Sequence, residues 1–426
     1  MDATFAPALG LTVESIRVCR LCGSTHLTPV IDFGPRHMVD FPATADGMSK
    51  PPVPLHVLQC RSCSLVQLKD TAPSSWRYST YYYCSGTNEA MRDELADVVA
   101  CVRSLLPISY KATVLDIGAN DGTLLSAYKQ QEGPDVTCPY RIAVEPARNL
   151  NEAVHAHATE VYAETWPLTT GRLPKASVDA VTSIAMMYGA DDLNAFTEEV
   201  ARVLSPQGVW IVQFQDLLSV LQTNAVDWFV HEHLATFSLW SFASLIHRHG
   251  LKIVDVERRA INGGSLRIIV RKSGAATARV AAQIERERAA GLLTPGNGWG
   301  GFLARVALVK AVVKSTIESV VETGGTVDLY AASTKSILLL QLCDLDSALI
   351  RQGVERQEAK WGRFVGDRGI PIVSEDQFRL DPPTAACFGS YQFRNQFIER
   401  EREYLRAGGL FICPLPHPEI IREGRA

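Results

Sequence analysis

Residues 226–237 read VDWFVHEHLATF and set His231, Glu232 and His233 inside a run of large apolar side chains. Charge is costly in such a neighbourhood, so an ionisable cluster there is either tightly partnered or at work. If extended, the three adjacent side chains point to alternating sides. If helical, they fan around the axis by roughly 100° per residue. Either way they cannot easily meet at one metal, and HEH lacks the i, i+4 histidine pair of HExxH, which argues against a catalytic zinc. Two readings stay open on these residues alone: a buried, satisfied histidine pair, or a group that moves a proton.

Four thiols make a second constellation: Cys19 and Cys22 in CRLCG, then Cys60 and Cys63 in CRSCS. A CxxC turn presents both sulfurs to one point, and two such turns complete the tetrahedron that Zn²⁺ prefers. The loop between the pairs is longer than in a common zinc ribbon. Four thiolates leave no open coordination position, so the expected Zn²⁺ is structural.

The stretch VLDIGANDGTLLSAY places a strand, a glycine turn and a helix in succession, with Asp116, Gly118, Asn120, Asp121 and Gly122 around the turn. Glycines let backbone approach a ligand closely, and Glu145, at the end of the next strand, can accept hydrogen bonds from ribose hydroxyls. A dinucleotide pyrophosphate normally meets GxGxxG without acids in the loop. Asp121 would repel phosphates but suits a cationic sulfonium, so S-adenosylmethionine is the cofactor expected. Further on, INGGSLR offers a glycine pair with Ser265 and Arg267, read either as an anion contact or as a tight bulge between strands.

The elements that must hold these groups follow from periodicity. Residues 1–72 contain both CxxC pairs, many prolines and little helical pattern, and look small and loop-rich. A tyrosine-rich bridge, WRYSTYYYCSGTNEAMRDEL, runs into a helical pattern over NEAMRDELADVVACVRSLL. From residue 112, TVLDI, RIAVE, VDAVTSI, GVWIVQF, LKIVDVE and SLRIIVR alternate with helices, the mark of an open α/β sheet with antiparallel pairing at one edge. Residues 276–320 read as mostly helical, broken at TPGNGWGG. A second α/β unit follows, with strands in TVDLYAAS, AACFGSY and GLFICPL and a helix over NQFIEREREYLRAGG.

Composition narrows the partners. Lys+Arg 42 against Asp+Glu 46 in 426 residues gives no field that would hold a polyanion, so neither nucleic acid nor a membrane surface is expected. The N-terminus lacks a basic region followed by an apolar one, and no apolar run approaches the ~18 residues of a bilayer span. A reduced, cytoplasmic protein fits, because the cysteines outside the two pairs sit singly. A monomer or weak homo-oligomer is expected.

The order of the motifs carries a resemblance. Two CxxC pairs, a YxYxSGxN segment (Tyr81, Tyr83, Ser85, Gly86, Asn88), LDIGANDGTLL, HEH, NGGSLR, DLYAASTKS and GGLFICPLP together resemble the sugar C-methyltransferase family from about residue 17 to 420. The resemblance implies an α/β chain in three parts: a zinc-binding module (1–72), a Rossmann-like class I methyltransferase domain (73–275) and a C-terminal Rossmann-like domain (276–426). It further implies a nucleotide-linked keto-deoxysugar as substrate, deprotonated beside the ketone and methylated on carbon by in-line transfer. On that basis His233 is the general base against a wall of Trp228, Phe229 and Phe237. Glu232 orients it or touches the sugar, and Tyr81 and Tyr83 offer phenols to the developing oxyanion. His231, Asn262, Ser265, Arg267 and Lys335 would contact the substrate. The chain departs from relatives at Val230 and in ATF after HEH, where many carry tyrosine, and at Tyr391, where tryptophan is common.

Three other readings are separable. O- or N-methylation of another small molecule needs only a base and tolerates Val230. A zinc ribbon that binds nucleic acid is permitted by the cysteines, but Arg17, Arg20, Arg36, Lys50, Arg61 and Lys69 form no stripe. A dehydrogenase built on the second α/β unit is weaker still, because its glycines precede the strand instead of following it.

Overall fold

The computed structural model describes residues 12–424 except 49, 79, 110, 131–137 and 170. Residues 1–11, part of the N-terminus read above as lacking a leader, lie outside that set.

The first region carries more sheet than its prolines suggest. Strands β1 (Leu27–Arg36), β2 (Val53–Cys60) and β3 (Val66–Leu68) pair antiparallel, and a two-residue strand at Ala235–Thr236 adds to β3. Proline cannot donate to a ladder and is confined to edges and bulges. Here β1 is an edge strand, and its register shifts fall at Pro29/Ile31 and Asp32/Pro35. The expectation of a loop-rich module is corrected accordingly.

Helix α1 (Glu89–Leu105) leads into the central sheet, and its apolar face, from Met91 to Val102, is buried. The strands are β4 (Thr113–Ile117), β5 (Tyr140–Val144), β6 (Glu160–Tyr162), β7 (Val178–Ile184), β8 (Leu204–Phe214), β9 (Lys252–Arg259) and β10 (Ser265–Arg271). They lie in the order β9-β10-β8-β7-β4-β5-β6, with only β10 antiparallel to its neighbours. Between them come α2 (Thr123–Gln130), α3 (Leu193–Val203) and α4 (Leu239–Arg248). Strand order reverses between β4 and β7, and ligands of open α/β sheets bind outside the carboxyl ends of strands at such a point.

Helix α5 (Ala278–Ala289), beyond the expected boundary at 275, packs back on β9. Its buried Glu287 accepts from the backbone amides of Leu239 (2.7 Å) and Trp240 (3.0 Å) at the start of α4. By its contacts this helix stands with the central sheet. Helix α6 (Trp299–Glu322) then leads to the last sheet: β11 (Val327–Tyr330), β12 (Gly353–Val354), β13 (Ile372–Val373), β14 (Ala385–Phe388), β15 (Leu410–Cys413) and β16 (Glu419–Ile421), with α7 (Thr334–Cys343) after β11. The order is β13-β12-β11-β14-β15-β16, parallel up to an antiparallel β16. Among the described residues no helix is long and apolar enough to cross a membrane.

Candidate functional site

The thiols of Cys19, Cys22, Cys60 and Cys63 lie within 4.8 Å of one another. The pairs Cys19–Cys63 and Cys22–Cys60 are each 3.6 Å apart. A tetrahedron with Zn–S near 2.3 Å puts its sulfurs ~3.8 Å apart, so the donor set fits a four-thiolate zinc. Both CxxC turns close alike, Gly23 N–H donating to the Cys19 carbonyl and Ser64 N–H to that of Cys60.

At the carboxyl end of β4, Gly118 (φ 73°) adopts a left-handed turn with its amide on the Val144 carbonyl. Glu145 is buried after β5, and its two oxygens accept from the amides of Asn120 and Ala147, each at 2.8 Å. A carboxylate has about four acceptor positions, so two remain for ribose hydroxyls. Glycine turn, acid and switch point together fit S-adenosylmethionine.

Two other loop residues do different work from that expected. Asp116 is buried at the end of β4 and accepts from the Thr182 hydroxyl at 2.6 Å. Burial pushes its carboxyl up to about 7, and it serves the sheet interior rather than the loop surface. Asp121 accepts from the Gly86 amide (2.7 Å) and the Thr123 hydroxyl (2.5 Å), so its charge is taken up within the chain instead of facing a sulfonium.

That Gly86 contact belongs to a strap. Asn120 accepts from the Ser85 amide and donates to the Tyr83 carbonyl, while Asn149 exchanges two hydrogen bonds with the backbone of Tyr81. The segment Tyr81–Gly86 is thus tied across both cofactor loops. Tyr82 reaches the zinc module, its hydroxyl donating to Asp40 at 2.8 Å. The charges of Glu232 and Glu145 both bear on the Tyr81 phenol, which burial pushes well above its ordinary value. Tyr83 has a buried hydroxyl without a hydrogen-bond partner.

The HEH segment is a turn, neither extended nor helical: His233 N–H donates to the Val230 carbonyl at 2.9 Å. His233 packs against Trp228 (centroids 4.1 Å apart) and Tyr188 (4.4 Å). Phe229 and Phe237 turn into separate aromatic clusters, with Trp299 and Phe302 in one and Phe214 and Phe242 in the other. The wall is therefore Trp228 and Tyr188. His233 Nδ1 lies 2.6 Å from the Trp228 carbonyl, which can only accept. Nδ1 must carry the hydrogen, and Nε2 presents a lone pair. Burial holds the ring near 3, so it stays neutral at ordinary pH. Glu232 moves the other way, pushed up to about 7 by desolvation, and its Oε2 has no hydrogen-bond partner.

Lys335, second residue of α7, reaches this place from the last domain. Its Nζ donates to Gln215 Oε1 at 3.2 Å and lies 5.8 Å from the centre of the Trp228 ring. Gln215 Nε2 has no partner. The turn Asn262-Gly263-Gly264 closes the same region. A side chain at Gly263 would come within 3.5 Å of Gln215 Nε2 and 3.3 Å of the Tyr391 hydroxyl, and one at Gly264 would strike Ser219 Oγ at 2.6 Å. Ser265 supports that turn by donating to the Ile261 carbonyl.

Two residues expected at the substrate are elsewhere. Arg267, 1% exposed, is held by Gln213, Glu94 and Asp97 between β8 and α1, which takes it from any diphosphate. On a strand between two neighbours its side chain points into the helix layer, not toward the turn before it. His231 is buried and joined to the Val53 carbonyl of β2 at 3.0 Å, so it anchors the turn to the zinc module. Sequence reasoning missed Tyr188, Gln215 and Asp227. The first two follow β7 and β8 at their carboxyl ends, and the switch-point rule applied residue by residue would have found them.

Comparison with known proteins covers nearly the whole chain in three parts. Family models match residues 19–78 ("Putative zinc binding domain"), 87–256 (methyltransferase domain) and 260–416 (C-methyltransferase C-terminal domain). The C-methyltransferase NovU of Streptomyces niveus is 27% identical over 423 residues, spanning 96% of this chain and 98% of that protein. Among solved structures, a SAM-dependent methyltransferase from Aquifex aeolicus is 15% identical with a TM-score of 0.34, covering 43% of this chain and 94% of its own. The 1,6-didemethyltoxoflavin-N1-methyltransferase of Burkholderia thailandensis is 16% identical with a TM-score of 0.34, covering 44% and 80%.

Proposed function

We infer, from the premise that the chain belongs to the C-methyltransferase family and takes its methyl group from S-adenosylmethionine, that the acceptor is the carbon beside the ketone of a nucleotide-linked keto-deoxysugar. One observation carries the sugar: the segment 226–233 that bears His233 holds buried acceptors without hydrogen-bond partners (Asp227 Oδ1, Glu232 Oε2), and Lys335 Nζ, beside the Trp228 ring, is bonded to Gln215, whose Nε2 is a buried donor without one. Burying such groups without partners costs about 1–3 kcal/mol each. A ring bearing hydroxyls, which both donate and accept, would satisfy them together.

The residues then have distinct tasks. His233 Nε2 takes the proton from the carbon next to the ketone, and the Trp228 carbonyl holds Nδ1–H while the ring becomes charged. The Tyr81 and Tyr188 phenols, kept protonated by burial, and the Lys335 ammonium supply hydrogen-bond donors for the enolate oxygen. Glu232 accepts from a sugar hydroxyl. The faces of Trp228 and Tyr188 keep water from the base. Bound S-adenosylmethionine supplies an electrophilic methyl on a sulfonium, and Gly118 and Glu145 are the residues that would hold it. The four thiolates would hold a structural zinc.

The test is a panel of 4-keto nucleotide sugars with methyl-labelled cofactor and NMR location of the new methyl. Deuterium exchange beside the ketone, run without cofactor, accompanies it. Exchange and a carbon-bound methyl are expected. A methyl found on oxygen or nitrogen, or no exchange with any member, would overturn the reading.

A further inference from the structure

We propose that Asp227 is a positioning residue that keeps the Lys335 ammonium charged and aimed at the oxygen of the bound ketone. The aim at a ketone rests on the reading above; the charge coupling of the two side chains, carried by helix and turn packed together, does not.

Asp227 lies in the short 3-10 turn Val226–Trp228, 2% exposed, and its Oδ1 has no hydrogen-bond partner. Trp228, the next residue, carries the ring over which Lys335 sits and the carbonyl that fixes His233. Helix α7, which bears Lys335, packs on this same turn. An ammonium has three donors; Gln215 Oε1 takes one, and Asp227 stands beyond ion-pair distance, so its charge reaches Lys335 across the packed turn and two donors stay open for a ligand.

Burial holds the Lys335 ammonium below the ordinary lysine range, and the charge of Asp227 opposes this. The relation is mutual: burial pushes the Asp227 carboxyl above its ordinary value, and Lys335 opposes that rise. The other titratable groups facing the pair are His233, neutral, and the Tyr391 phenol, kept protonated by burial and by Asp227 itself. A neutral amine could not supply charge to an enolate oxygen and would leave Asp227 buried alone. A carboxylate under Trp228 therefore serves the reaction without touching the reacting atoms.

The experiment uses the full zinc-loaded chain. Competitive acetylation of Lys335 across pH, read by peptide mass spectrometry, reports its protonation without substrate. In Asp227→Asn the labelling midpoint should move to lower pH by about one pH unit or more, a tenfold change in protonation equilibrium, while Asp227→Glu stays near wild type. With an accepted substrate at pH 8, kcat of Asp227→Asn should fall at least tenfold with KM little changed. Adding Lys335→Arg, whose charge is permanent, should restore most of it. An unchanged labelling midpoint, or loss of activity that Lys335→Arg does not restore, overturns the proposal. A shifted midpoint in a protein that exchanges no ketone substrate would sink the assignment of function and leave the charge coupling standing.

Discussion

His233 owes its chemistry to two contacts: the Trp228 carbonyl dictates which nitrogen carries hydrogen, and the rings of Trp228 and Tyr188 dictate that the base is uncharged. His233→Asn keeps a donor for that carbonyl but has no basic nitrogen. Its exchange of the proton beside the ketone should fall by about 10²–10⁴, the usual worth of a positioned base, while cofactor affinity measured by calorimetry stays within error. The pH dependence belongs to its neighbour. With His233 held near 3, it does not titrate between pH 5 and 8, whereas Glu232 sits near 7. Below that value Glu232 is protonated and above it accepts, so kcat/KM should rise through pH 7 in the wild type and lose this limb in Glu232→Gln. A limb that persists in the variant would assign it to another group. The importance of HEH was legible from its composition alone, because ionisable residues in an apolar run need a reason. The identity of its wall was not: Phe229 and Phe237 are nearest in sequence, yet a turn at 230–233 sends them into other clusters. Arg267 failed for a like reason, since NGGSLR does not reveal which face of β10 meets Glu94 and Asp97.

Between elements, the zinc module and the HEH turn form one construction. The strand Ala235–Thr236 hydrogen-bonds to β3, Leu68 N–H donates to the Leu234 carbonyl, and His231 grips β2. Cys60 and Cys63 flank the link from β2 to β3, so releasing the metal should loosen the ladder that holds His233. Cys60→Ser, or chelation of the wild type, should lower kcat at least tenfold with cofactor affinity little changed, and Zn²⁺ should restore the chelated protein. Full activity in a protein shown to be zinc-free would refute the coupling. Five of the six central strands read from the sequence, β4, β5, β7, β8 and β10, are interior strands buried along most of their length, and such strands appear as short apolar, often β-branched runs. Strands of two or three residues such as β6, β12 and β13 give no such pattern. The helix expected over NQFIEREREYLRAGG divides at Glu401, whose buried carboxylate accepts from the Tyr330 hydroxyl at 2.7 Å and from Arg379. A tertiary bond overrides helix propensity there.

Over the whole molecule, α6 touches every part. Its first residue, Trp299, is 4% exposed; the indole donates to Gln59 Oε1 of β2 at 3.1 Å and packs on Phe229 beside the HEH turn. One turn and a half later, Arg305 donates to Asn224 Oδ1 (2.7 Å) and the Leu221 carbonyl (2.9 Å) of the methyltransferase domain. The buried face Val309, Val313 and Ile317 then joins the core beside β11. The zinc module also grips the last domain directly, the amides of Phe364 and Gly366 donating to the carbonyls of Pro42 and Asp40. Three parts in this order could be inferred from the succession of motifs, but their contacts could not, because Gln59, Asn224 and Arg305 look like ordinary surface residues in the sequence. Parts joined this way should unfold together. Calorimetry should give one endotherm, coincident with loss of far-ultraviolet circular dichroism and of tryptophan emission. Trp299→Ala should cost about 3–5 kcal/mol, the usual range for a buried aromatic, and move that endotherm as a whole. If instead the variant melts in two steps, with the later one at the wild-type temperature, α6 serves the zinc module alone and the unity argued from its contacts fails.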